Sequence, residues 1–114
     1  MCDIKLFDND ITGPLPEELG SMSCLHSLDL EKNNFTGNAF FSGIYSLADT
    51  LTNYRLSGNN FDGSIPTRIN EFTLLESLWL ADNNLVGSIP DGITDLNKLG
   101  ELNNMSLLIA FNNI

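Results

Sequence analysis

One string, LESLWLADNNLVGSIP from Leu75 to Pro90, recurs along the chain, and that recurrence constrains the fold more than any other property. Back by one period, LTNYRLSGNNFDGSIP from Leu51 to Pro66 has the same skeleton of leucines, Asn-Asn, an apolar residue, Gly and Ile-Pro. LHSLDLEKNNFTG starts at Leu25, and MCDIKLFDNDITGPLP starts at Met1. The leading positions Met1, Leu25, Leu51 and Leu75 stand 24, 26 and 24 residues apart. A unit that short cannot offset its own conformational entropy with the few apolar side chains it buries. The copies must therefore stack, each covering its neighbour's core.

Within each copy the residues point to a strand, a bend and a return. In L-x-L the spacing of two puts Leu78 and Leu80 on one side of a strand and Trp79 on the other. Asn9, Asn33, Asn59, Asn83 and Asn112 follow the strands, where an amide both donates to and accepts from backbone exposed at a bend. Stacked at one period, they form a buried ladder. Gly13, Gly37, Gly63 and Gly87 suit a turn where a side chain would interfere. Pro16, Pro66 and Pro90 hold the following segment extended.

A period of this size with an L-x-x-L-x-L-x-x-N-x-L core is the signature of a leucine-rich repeat. The continuation N-x-[LF]-x-G-x-[IL]-P resembles the plant-type subclass found in receptor-like kinases, receptor-like proteins and polygalacturonase inhibitors. The resemblance covers nearly the whole chain. It implies an α/β solenoid: a right-handed coil with a concave parallel β-sheet, a short second strand at G-x-[IL]-P, and 3₁₀ or short helical turns on the convex side. We divide the chain into repeats 1–24, 25–50, 51–74 and 75–103, with a partial repeat 104–114, about four and a half in all. Neither end carries a recognisable polar or disulfide-bonded cap, which reads as a piece of a longer solenoid.

Two copies depart from the pattern. After Gly37 the second is two residues longer and lacks Ile-Pro. Phe40 or Phe41, Ile44, Leu47 or Ala48, and Leu51 follow helical spacing there, which predicts a short amphipathic convex helix that interrupts the second sheet. The last copy, phased back from Asn112, takes Leu107 and Ile109 as its strand positions.

Bulk properties narrow the partners. A formal charge of −10 leaves no basic stripe for nucleic acid. No apolar run approaches the roughly 20 residues of a membrane span, and no signal peptide is legible. The resemblance implies an extracellular or cell-surface setting for a receptor-like parent; a cytoplasmic setting stays open on the residues alone. Cys2 and Cys24 can form one disulfide or stay as two small, semi-buried thiols, and the residues favour the thiols.

Strand residues that point away from the core form columns across the repeats. One is Lys5, Asp29, Arg55, Trp79 and Leu108. The next is Phe7, Glu31, Ser57, Ala81 and Ala110. The third is Asp8, Lys32, Gly58, Asp82 and Phe111, and the column before them is Asp3, Ser27, Asn53, Ser77 and Ser106. Lys5, Asp29 and Arg55 can pair laterally, and Arg55 can lie against an exposed Trp79. A self-satisfied surface ladder is the plain reading. The functional one takes Lys5, Phe7, Asp29, Glu31, Arg55, Trp79 and Asp82 as a concave ligand-binding face, with Trp79 as anchor.

Other features carry less. His26 precedes its strand and faces away from Asp29 and Glu31, so no metal site and no cofactor is expected. Glu17 and Glu18 read as solvated. No nucleophile–base arrangement, phosphate loop or dinucleotide motif is present, so an enzyme is not expected. Asn34-Phe35-Thr36 and Asn104-Met105-Ser106 match the N-glycosylation pattern. The resemblance implies a non-catalytic module that binds a protein or peptide. The rivals are a spacer segment of a longer solenoid and, more narrowly, an inhibitor similar to the polygalacturonase inhibitors.

Overall fold

The L-x-L alternation becomes a five-stranded parallel sheet in the computed structural model, which describes residues 1–96, 107, 108 and 112. Its strands are β1 (Cys2–Lys5), β3 (Leu25–Asp29), β5 (Asn53–Arg55), β7 (Ser77–Trp79) and β8 (Leu107–Leu108), side by side in that order. The register follows the repeat: Asp3, Ser27, Asn53 and Ser77 align, as do Ile4, Leu28, Tyr54 and Leu78. Leu107 pairs with Leu78 and Leu108 with Trp79, so the backward phasing of the last repeat holds. Residues 97–106, with Asn104 and the last repeat boundary, lie outside the described residues, as do Ile109, Ala110 and Phe111.

A second sheet runs beside the first. It contains β2 (Thr12–Gly13), β4 (Asn34–Asn38) and β6 (Asn60–Asp62). The longer second repeat does not interrupt it, contrary to expectation, because β4 pairs with both β2 and β6 and the extra residues enter only after Asn38. They fill the core instead. Ala39, Phe40 and Phe41 are buried, Phe40 meets Tyr54 edge-on at 5.9 Å, and the Tyr54 hydroxyl donates to the Ala39 carbonyl. Tyr54 stands where the other repeats have a smaller aliphatic residue, and the insertion supplies the partner its buried hydroxyl needs.

Among the described residues four 3₁₀ helices complete the turns: η1 (Glu17–Ser21), η2 (Ser42–Leu47), η3 (Thr67–Glu71) and η4 (Asp91–Asp95). Pro16, Pro66 and Pro90 precede three of them in extended geometry. The helix expected in the second repeat is η2, of 3₁₀ type, which buries Ile44 and Leu47 three residues apart. Glu17 is not merely solvated: its Oε2 accepts from the Ser42 hydroxyl and the Gly43 N–H, each at 2.7 Å. Those contacts pull η1 against η2, and a Cβ on Gly20 would stand 2.2 Å from the Gly43 carbonyl oxygen.

The asparagines tie successive repeats together. Asn83 donates to the carbonyls of Leu80 and Ala81 in its own repeat and Leu56 in the one before, and its Oδ1 accepts from the Phe61 N–H at 3.0 Å. Asn33 and Asn59 bond in the same way, and Asn112 accepts from the Leu85 N–H while donating to Leu80. Asn33, Asn59 and Asn83 are buried, but Asn9 is exposed and donates only within its own turn, to Leu6 and Phe7. Cys2 and Cys24 form a disulfide across a Cα separation of 5.2 Å, which corrects the reading as two thiols. One turn of the coil returns Cys24 to the start of β1, where the Cys2 N–H donates to its carbonyl at 2.7 Å.

Asn59→Ala strips buried N–H and C=O groups of their partners and should lower the unfolding free energy by about 3 kcal/mol. Asn9→Ala should lower it by well under half as much. Urea unfolding of the two variants beside the parent chain checks the difference; equal losses would remove the ladder from this account.

Candidate ligand-binding face

Residues that alternate with the core leucines emerge on one face of the larger sheet. Lys5, Asp29, Arg55 and Trp79 are aligned strand to strand, as the period requires. The Arg55 guanidinium lies over the Trp79 ring, 4.3 Å from its centroid. Trp79 is therefore half-buried rather than fully exposed, with Arg55 against its ring. The Arg55 Nε is itself buried, without a hydrogen-bond partner among the described residues.

The lateral pairing differs from the expected one. Lys5 reaches Asp3 on its own strand, at 3.9 Å, rather than Asp29. Asp29 instead accepts from the Glu31 N–H at 3.3 Å. Phe7, 53% exposed, stands with Asp8, Asp29, Glu31 and Lys32 around a hollow of about 270 Å³. This hollow unites the first three repeat-derived columns at the Phe7 end of the sheet, while Arg55 and Trp79 extend the face along it.

The hollow is electrostatically frustrated. Burial, and then the neighbouring Asp29 carboxylate, push the Glu31 carboxyl above its ordinary value, and Arg55 and Lys32 offset only part of this. A carboxyl with a raised folded pKa weakens the fold when ionised. Unfolding free energy thus falls as pH climbs from the usual glutamate value of 4.5 through the raised one, and the penalty is complete above it.

The third column has a backbone cause that sequence reasoning missed. Asp8, Lys32 and Asp82 have φ of 62°, 56° and 55°, and Gly58 at the same position has 75°. The chain turns left-handed there, just before each ladder asparagine. Gly58 was the available signal, since glycine adopts that geometry without a Cβ penalty. Asp82, a predicted site residue, is exposed on this turn, beyond β7.

His26 lies within β3 rather than before it, and its Nε2 is 3.1 Å from the Asp3 carboxylate. Among the described residues no group of three His, Cys, Asp or Glu side chains is arranged to hold a metal ion. No helix among them is long and apolar enough to cross a membrane.

Glu31→Gln should leave the chain more stable than the parent at neutral pH, with the gap closing as pH falls below 4.5. Thermal melts across that range check it. A parent chain that loses stability relative to the variant on acidification would reverse the sign argued here.

With this geometry in place, comparison with known proteins is specific. The Leucine Rich Repeat family matches residues 74–96. Receptor-like protein 7 of Arabidopsis thaliana is 36% identical over 107 residues, covering 76% of this chain and 11% of that protein. Leucine-rich repeat receptor protein kinase MSP1 of Oryza sativa subsp. japonica is 42% identical over 77 residues, covering 66% of this chain and 6% of that one. The chain thus spans about a tenth or less of the length of these relatives. Among solved structures, the plant peptide hormone receptor RGFR1, in complex with RGF2, superposes with a TM-score of 0.83 at 30% identity, over 98% of this chain and 17% of that one. The chain belongs to the leucine-rich-repeat family, in the plant-type subclass of receptor-like proteins and receptor kinases.

Proposed function

We propose that this chain is a non-catalytic recognition segment of a receptor-like ectodomain at the cell surface, and that it holds a protein or peptide on the concave face through Lys5, Phe7, Asp29, Glu31, Arg55, Trp79 and Asp82. One observation carries the reading: side chains that do not hold the fold together are gathered on a single sheet face, with an aromatic–guanidinium stack at one end and a hollow beside Phe7 at the other. The likeness to RGFR1, which was solved with the peptide RGF2, supports a peptide as the occupant. An extended peptide fits the layout, since its side chains can reach the Trp79 stack and the Phe7 hollow from one backbone. Aromatic and arginine side chains of this kind dominate binding energy where they occur at interfaces.

Selection of a random displayed-peptide library against the whole chain supplies a probe. Trp79→Ala should weaken the selected peptides by about 30-fold, the equivalent of about 2 kcal/mol. Glu18→Ala, on the exposed η1 turn, should leave them unchanged. Peptides that bind Trp79→Ala and Phe7→Ala as tightly as the parent would place recognition elsewhere. The segment would then read as a spacer.

A further inference from the structure

We propose that Asn34 is an N-glycosylation site, presented by the second sheet and separate from the concave columns. Asn34 and Thr36 are two residues apart on β4, so both project from the same side of the strand, and both are exposed. Phe35 between them points the other way, is 5% exposed and stacks on Phe61 with ring centroids 6.1 Å apart. The strand therefore fixes the amide and the hydroxyl of the Asn-x-Thr triplet together on the solvent side.

The two adjacent asparagines have different duties. Asn33 commits its amide to Leu6, Leu30, Glu31 and the Ile11 N–H, inside the ladder. No hydrogen bond among the described residues holds the side chain of Asn34. Thr12, its neighbour on β2, is exposed and small, as is the polar surface at Asn60 and Asp62 on β6. A sugar on Asn34 thus meets open polar surface and displaces nothing.

The repeat supplies its own comparison. Asn60 and Asn84 occupy the equivalent exposed position in the next two copies, but the residue two further on is Asp62 or Val86 rather than Thr or Ser. Among the described residues only the second copy combines the exposed asparagine with a hydroxyl. The compartment agrees on separate grounds: the Cys2–Cys24 disulfide belongs to an oxidising environment such as the secretory route, where this modification is made.

The step joins Asn34 Nδ2 to the anomeric carbon of an oligosaccharide activated as a diphosphate ester. The bond from that carbon to the phosphate oxygen breaks, the diphosphate leaves with the bonding pair, and one Nδ2 proton passes to a base. No oxidant or reductant is needed. The site stands independently of the ligand-binding reading.

The test is the whole chain expressed behind a secretion leader in a eukaryotic host. Peptide mapping after N-glycosidase treatment in heavy-oxygen water reads each site separately, so Asn104 does not confuse the result. Asn34 should be recovered as labelled Asp. Thr36→Ala should abolish the label and Thr36→Ser should retain it. Asp62→Thr should add a second labelled site at Asn60, because it recreates the same strand geometry one repeat on. Unmodified Asn34 in disulfide-paired chain, whether secreted or held within the secretory route, overturns the proposal. Label at Asn60 in Asp62→Thr with Asn34 bare overturns it as well, since the host is then shown to be competent.

Discussion

The structure depends above all on the buried amides of Asn33, Asn59 and Asn83, one in each of three successive repeats. A ladder asparagine closes the bend after its strand by donating to carbonyls of its own repeat, and it grips the preceding repeat through one carbonyl and one N–H. The same side chain therefore makes the local turn and the long-range contact. No apolar residue can replace it, because the groups it satisfies are backbone N–H and C=O already removed from water. The bond pattern also has a direction: Asn59 and Asn83 each reach back to the repeat before. Order in one turn is thereby passed to the next, which is how a chain of individually unstable units folds cooperatively.

Because the ladder and the leucines hold the backbone, the alternate strand residues are released from structural duty. Arg55 can rest on Trp79 and Phe7 can stay exposed without weakening the core beneath. The second sheet has the same division of labour on a smaller scale, with Phe35 and Phe61 turned inward and Asn34, Thr36 and Asn60 turned out. One repeat thus offers two surfaces, one on each sheet.

The leucine positions, the strand register and the columns were legible because strand geometry has a period of two and the repeat is nearly constant. Even the weakly patterned last copy was phased correctly through Leu107. Three pairings that are not legible in the sequence share one cause. Cys2 and Cys24, Asp3 and His26, and Glu17 and Ser42 are 22, 23 and 25 residues apart, each close to one turn of the coil. Each separation is a residue or two off the 24-residue period, so the aligned columns do not match these partners, although stacking brings them together. The left-handed turn at Asp8, Lys32 and Asp82 was hidden for another reason, since only Gly58 among the four announces it by residue type. Lys5 and Asp3 escaped because a flexible lysine reaches several carboxylates, and the choice depends on rotamers rather than spacing.

The Asp29–Glu31 pair shows what such a scaffold tolerates. Burial of the Glu31 carboxyl, and after it the Asp29 carboxylate alongside, oppose its ionisation, and its raised pKa records that opposition. In a small domain whose stability came from the same residues as its surface, this cost would be hard to carry. Here the cost falls on a side chain that the ladder does not use, since Asn33 takes only the Glu31 backbone carbonyl, so the fold absorbs it. Electrostatic tension at an exposed hollow is relieved when positive charge arrives from outside, and each increment of relief adds to the affinity of whatever brings it. A solenoid separates the side chains that hold the fold together from those that do not, and the Glu31 carboxyl belongs to the second group.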